Sequence, residues 1–151
     1  MRRSLAAACI AAAACAQLEP LREDEALPPL PREADLIEFD AAPSGVRFLI
    51  DRSSIGLGDD LVRYTLVAQS AAGAQNVSHE GIRCSTAEVR IYAVARGAEW
   101  IRSSGAWRAI RADTAQRWHQ TLNRDLCPLK KPVGSRREAL EALARRPYLS
   151  Q

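Results

Sequence analysis

The chain has little of what usually marks an enzyme. Its 151 residues include two histidines, His79 and His119, and no G-x-S-x-G, H-E-x-x-H or glycine-rich phosphate loop. There is no C-x-x-C, and Cys84 and Cys127 with two distant histidines do not give zinc-ligand spacing. The acidic pair Asp59-Asp60 lacks the ligand spacing of a dedicated calcium site and reads as a solvated turn. Residues 5–16 are apolar and uncharged, but twelve residues fall short of the roughly 20 needed to cross a bilayer. No basic and aromatic motif of a known nucleic-acid module occurs, so no nucleic acid is expected as partner. These absences leave no catalytic residue, metal or cofactor to name. What is present points to a compartment, a fold class and a covalent staple.

The amino terminus reads as an export signal. Met1-Arg-Arg-Ser is a positive start, and 5–16 fits a signal-peptide core. Two processing routes fit. Ala14-Cys15-Ala16 is a small-x-small cleavage site, which gives a signal over 1–16 and maturation before Gln17. Ala12-Ala13-Ala14-Cys15 resembles a lipobox, which gives a lipoprotein signal over 1–14 and makes Cys15 the lipidated first residue. That route would tether a soluble domain to a membrane by an acyl anchor alone. Residues 17–35 follow, with Pro20, Pro28, Pro29, Pro31 and the acidic run Glu23-Asp24-Glu25. Proline removes backbone donors and like charges repel, so this stretch reads as an extended linker. One domain is expected over 36–148.

Charge is uneven along the chain. The formal net charge is +3, and removal of Arg2 and Arg3 with the signal leaves about +1. Residues 17–60 hold 4 basic and 11 acidic residues, whereas 61–151 hold 15 and 7. Scattered arginines that solvate strand and helix faces account for this balance. The rival reading is a basic surface for an anionic partner such as lipid or glycan.

The domain is organised around residues 61–84. Val62, Tyr64, Leu66 and Ala68 alternate with Arg63, Thr65, Val67 and Gln69, the period of a strand with one buried face. Residues 70–75 carry Gly73 and small residues and form a hairpin loop. A loop centred on Ala72-Gly73 sets Ala68 against Val77, Leu66 against His79, Tyr64 against Gly81 and Val62 against Arg83. Tyr64 then lies over a cross-strand glycine. Strands are expected at 36–39 and 46–51 before this hairpin, with a loop over 53–60. After it come 87–96, the clearest half-buried alternation, then 99–102 and a short irregular strand at 107–110. Short turns between consecutive strands imply antiparallel pairing.

The last third is helical. Asp113 with Gln116 and Ser135 with Glu138 are two capping boxes. Ala115, Trp118, Leu122 and Leu126 fall near one helical stripe. Cys127-Pro128 ends the first helix and Pro147 stops the second. The fold class is α+β, a largely antiparallel sheet of five to six strands followed by two carboxy-terminal helices.

Cys84 and Cys127 remain after signal removal. In an oxidising compartment such a pair tends to join, tying the hairpin end to the end of the first helix. A metal or redox pair is the alternative. His79 and Glu80 are strand neighbours pointing to opposite faces, a poor catalytic pair. A hydrolase site assembled from distant residues, for example Ser78 or Ser85 with His119, is the rival enzymatic reading. A binding site is expected where the helix carrying Trp118 meets the hairpin end. It gathers Arg83, Trp118 and His119, with Tyr64 and Glu80 as neighbours, and suits an anionic or glycan-like ligand.

The words Val62-Arg-Tyr-Thr-Leu-Val, Asn76-Val77-Ser78, Glu80-Gly81-Ile82-Arg83-Cys84, Arg117-Trp118-His119 and Cys127-Pro128, in this order, resemble the cryptic neisserial protein-like family of Gram-negative envelope proteins. The resemblance runs from Asp35 to Arg146. It implies an exported domain with a single cysteine pair, and an aromatic residue such as tyrosine where this chain has His79. It brings no activity, cofactor or ligand. The expectation is a non-enzymatic periplasmic domain, tethered to the outer membrane if Cys15 is lipidated. Its partner would be an envelope component: protein, glycan or anionic lipid.

Overall fold

The computed structural model describes residues 26–41, 45–111 and 116–145. The signal segment with Cys15, the first part of the linker, the cap residue Asp113, the stripe residue Ala115 and the helix stop Pro147 lie outside them. Among the described residues no helix is long and apolar enough to cross a membrane.

Seven strands form one antiparallel sheet: β1 (Leu36–Ala41), β2 (Arg47–Leu57), β3 (Leu61–Gln69), β4 (Gln75–Arg83), β5 (Glu88–Arg96), β6 (Glu99–Arg102) and β7 (Arg108–Ala109). The first six lie side by side in chain order, and β7 adds to β5. Two helices follow, α1 (Arg117–Leu126) and α2 (Arg136–Ala144). The α+β class and the two closing helices are as the sequence predicts, with one strand more than the upper count. Short connections account for the meander, because neighbouring antiparallel strands need only a tight turn.

One face of the sheet carries the apolar core. Phe48, Ile50, Val62, Tyr64, Leu66, Ile82 and Val89 point to it and meet Leu122 and Leu126 of α1 and Ala139 and Leu143 of α2. The buried stripe of α1 is His119, Leu122 and Leu126, spaced three and four apart as a helix face requires. Each fully buried aliphatic side chain here contributes roughly 1.5–3 kcal/mol relative to exposure. Cys84 and Cys127 are joined, with Cα atoms 5.2 Å apart, and fasten the end of α1 to the end of β4.

α2 begins with the predicted cap. Ser135 Oγ accepts from the Glu138 amide at 3.1 Å. The Glu138 carboxylate accepts from the amide of Gly134 at 2.8 Å, one residue further back than a standard capping box. Within the described residues α1 starts at Arg117, with Gln116 in the cap position and no side-chain cap bond there.

Three differences from the sequence reading matter for the site. The first is the register of the central hairpin. Tyr64 pairs with Glu80, Val62 with Ile82, Leu66 with Ser78 and Leu61 with Arg83, one residue away from the expected alignment. The loop explains the slip. The amide of Gly73 bonds to the Ser70 carbonyl, and that of Ser70 to the Ala74 carbonyl, both at 2.9 Å. Three residues, 71–73, therefore turn the chain, with Gly73 at φ +84° supplying the left-handed position such a loop needs. A two-residue turn at Ala72-Gly73 would have given the other register, and a one-residue slip exchanges the faces of a whole strand.

The second difference is β2, which runs on to Leu57 through the segment expected as a loop. Four residues, 52–55, intervene between the pairs Asp51 with Thr65 and Gly56 with Arg63, opposite a single residue of β3. Asp51 absorbs the irregularity: its carboxylate accepts from the Ser53 amide at 2.8 Å and the Ser53 hydroxyl at 2.7 Å. Ser54 Oγ then accepts the Thr65 amide at 2.7 Å in place of a ladder partner. The turn beyond carries Asp60, whose carboxylate accepts from the Ser85 amide and hydroxyl at 2.8 and 2.6 Å and ties two loops together.

The third is β5. Ile91 pairs with Glu80 and Ala93 with His79, so Tyr92 is the extra residue of a bulge. The expected alternation breaks there, and Tyr92 swings over the face opposite the helices. A Cβ added to Gly81 would meet Tyr92 Cε2 at 2.9 Å and Leu61 Cδ1 at 3.1 Å. The aromatic cover of this glycine is thus Tyr92 from β5, not Tyr64.

Candidate functional site

Tyr64 of β3, Ser78 and Glu80 of β4 and His119 of α1 meet between sheet and helix. Glu80 is the hub. Its Oε1 accepts from Ser78 Oγ at 2.6 Å, its Oε2 accepts from Tyr64 Oη at 3.2 Å, and the same oxygen lies 2.8 Å from His119 Nε2. The observed register makes this possible, because it puts Glu80 on Tyr64's face. Tyr64, Glu80 and His119 are 0%, 3% and 3% exposed. Burial first, then the Glu80 carboxylate, hold the Tyr64 phenol well above its ordinary pKa, so it stays a neutral donor. His119 Nδ1 is buried with no hydrogen-bond partner among the described residues.

Trp118 is half-buried and stacks on Phe48, ring centroids 4.4 Å apart at 19°. Its centroid is 5.2 Å from that of His119. The structure thus brings together Tyr64, Glu80, Trp118 and His119, four of the five residues expected at a site. Arg83 is not among them. It follows Ile82 by one position and so points to the other face, where its guanidinium lies 4.2 Å from the Trp107 ring centroid and 3.4 Å from Glu88. The one-residue slip in register is the reason. Ser85, offered with Ser78 as a distant partner for His119, is an exposed turn residue held by Asp60.

The order of groups decides the chemistry. In a serine hydrolase the imidazole stands between hydroxyl and carboxylate and takes the serine proton. Here the carboxylate stands in the middle, and hydroxyl, phenol and imidazole all bond to it. Such a hub holds elements in place, since the three bonds to Glu80 form together only in one arrangement of β3, β4 and α1. With the Trp118 stack and the cystine, it gives α1 three fastenings to the sheet.

The other face of the sheet was not legible as a site. Arg63, Thr65, His79, Arg83, Tyr92, Trp100 and Trp107 lie there. The Arg63 guanidinium sits 4.6 Å from the Tyr92 centroid. His79 lies between Tyr92 and Trp100, centroids 6.1 and 6.3 Å away, with Nδ1 3.2 Å from Thr65 Oγ1. Burial, then the Arg63 charge, lower its pKa to about 4 against the opposing pull of Glu80. Trp100 Nε1 donates to the Pro28 carbonyl at 2.8 Å. Residues 27, 28, 30 and 31 are half-buried, so the described part of the proline stretch is held against the sheet instead of spanning free solvent, and Glu33–Asp35 close it with one 3-10 turn.

A cleft of about 270 Å³ opens between the ends of α1 and α2, lined by Arg124, Asp125, Pro128, Val133, Glu138 and Arg145 among others. Two carboxylates offset its two arginines, so it selects no charge. Among the described residues no three of His, Cys, Asp and Glu are grouped to hold a metal ion.

Fold and site together define a class: an α+β domain with an antiparallel meander, two helices on one face, a cystine from sheet to first helix and a polar hub between sheet and helix. Its membership is more particular. The family model described as the CNP1-like family matches residues 18–144, and the chain belongs to that family. The match begins well before β1 and takes in the proline stretch that lies on the sheet. No curated protein and no solved structure matches the chain significantly.

Proposed function

We propose that the protein is an exported, periplasmic domain, tethered to the outer membrane through a lipidated Cys15, that serves as a non-enzymatic binding or structural module of the cell envelope. The observation that carries the non-enzymatic reading is the Glu80 hub: its carboxylate lies between serine and imidazole, and Tyr64, Glu80 and His119 are buried. Export is supported by the charged start, the apolar run 5–16 and the small residues before Cys15. The joined cysteines suit an oxidising compartment. Its partner is an envelope component, protein, glycan or anionic lipid.

Cell fractionation with the mass of the mature protein tests export. A cytoplasmic product that keeps residues 1–14 would end the proposal, and a start at unmodified Gln17 would remove only the anchor. The convergence of Ser78, Glu80 and His119 favours one rival, a hydrolase. That rival requires Ser78 to be labelled by a serine-directed phosphonate probe and the label to vanish in Ser78→Ala. On the present reading Ser78 stays unlabelled and Ser78→Ala only lowers the melting temperature.

A further inference from the structure

Leu129 is 96% exposed, against 39% for Val94 and 43% for Ile101, the other exposed large apolar side chains among the described residues. It sits in the one-turn segment Pro128–Lys130 after α1. Its backbone is left-handed, φ 55° and ψ 30°, and that of Lys130 follows at φ 61°. Two successive left-handed residues without glycine are a costly arrangement. This segment is also firmly framed. Cys127 is bonded to Cys84, the Lys130 amide to the Cys127 carbonyl at 3.2 Å, the Lys131 amide to the Pro128 carbonyl at 3.2 Å, and the Val133 amide to the Leu126 carbonyl at 3.0 Å. The frame closes the end of α1, but the Leu129 side chain it holds in water packs on nothing within the domain, so the use of that side chain lies outside it.

The surrounding charge identifies the occupant. Lys130 and Lys131 follow Leu129 directly and are exposed, whereas Glu138 bonds back to the Gly134 amide and Arg137 lies 3.8 Å from Glu141, so the uncompensated positive charge is at the two lysines. Arg136 donates to the Ile55 carbonyl at 3.1 Å, which holds this stretch to β2. A projecting aliphatic side chain followed directly by two ammonium groups matches an anionic bilayer surface: the leucine enters the acyl boundary and the lysines meet the phosphates. We propose that the Pro128–Lys130 turn, with Lys131, is a docking loop for anionic phospholipid. For its setting this rests on the envelope reading above, which fractionation tests separately.

The experiment measures partition of the full chain onto vesicles of phosphatidylcholine alone and of phosphatidylcholine with phosphatidylglycerol. Any acyl anchor contributes to both, so the difference between the two reports the loop. Wild type is expected to favour the anionic vesicles, and added salt to remove the preference. The double variant Lys130→Ala/Lys131→Ala should lower the anionic partition roughly tenfold. Leu129→Gly removes the side chain but suits the left-handed backbone, so it should weaken partition while the melting temperature holds or rises. Equal partition onto both vesicles, or variants that fold and partition like wild type, would overturn the proposal. So would a Leu129-dependent cross-link to an envelope protein with no preference for anionic lipid.

Discussion

The two faces of the sheet are built from different chemistry. The helical face is apolar, with a single acid–base knot at Glu80 and a covalent tie at its edge. The outer face is made of arginine stems, aromatic rings and a neutral histidine, over which the proline stretch is held by one indole bond. β3 serves both: Val62, Tyr64 and Leu66 face the helices, while Arg63, Thr65 and Val67 face outward and are equally buried. Burial on a face therefore does not require an apolar sequence. It requires that each polar group be covered or bonded, which the two faces achieve by different means.

The comparison can be broken most severely at the hub. Glu80→Ala leaves the Tyr64 hydroxyl, the Ser78 hydroxyl and the His119 ring without their shared acceptor in the core. A loss of about 3–5 kcal/mol is expected in urea unfolding. Glu80→Gln, which keeps an acceptor, should cost less. If Glu80→Ala unfolds at the wild-type urea concentration, the hub is not what holds α1.

Reduction of the Cys84–Cys127 bond comes next. It opens a link between residues 43 apart in sequence, and a loss of about 2–4 kcal/mol is expected. Peptide mapping without reductant should recover the joined pair. Hydrogen exchange after reduction should rise first in α1 and much less in β2 and β3, since the tie fastens only the helix end.

On the outer face, Gly81→Ala presses a methyl group on Tyr92 and Leu61, for an expected cost of about 1–3 kcal/mol. The same substitution combined with Tyr92→Leu should cost markedly less than the sum of the two alone. Additive effects would mean that Tyr92 does not cover the glycine.

His79 gives the outer face a pH dependence. Its pKa is near 4 when folded and near 6.5 when unfolded. The unfolded chain therefore binds more protons between these values, so stability is fully present above about pH 6.5 and declines as pH falls towards 4. At pH 5 the loss relative to neutral pH should be about 2 kcal/mol from this residue. His79→Tyr, which restores the aromatic residue that the family resemblance implies, should flatten that slope. An unchanged acid slope in His79→Tyr would assign it to other groups.

The smallest effect is expected at Arg83. Its contacts with Trp107 and Glu88 are half exposed, so Arg83→Ala should cost about 1 kcal/mol or less. His119→Ala should cost more, because it empties a place in the core. A larger effect at Arg83 than at His119 would reverse the account of the two faces.

Much of this architecture was legible in local pattern. Strand alternation placed β3 and β5, turn signals placed β4 and β6, Ser135 and Glu138 marked α2, and the two late cysteines named the staple. The site was legible only in part. Tyr64, Glu80, Trp118 and His119 were gathered correctly, but Arg83 was placed with them by an assumed two-residue turn. Small residues with one glycine suit a two-residue or a three-residue turn alike, and the bonds of Ser70 and Gly73 select the three-residue one.

By itself the sequence determined the order of the elements, the antiparallel meander, one helix cap and the cysteines available for pairing. Each of these follows from near neighbours: side-chain period, cap chemistry and the short reach of a tight turn. Tertiary structure alone decided which face each strand presents, the continuation of β2 past Asp51, the bulge at Tyr92 and the docking of Pro28 on Trp100, 72 residues away in the chain. These turn on a single residue of register or on one long-range bond. A local pattern is nearly indifferent to such choices, and only the energy of the whole packed core separates them.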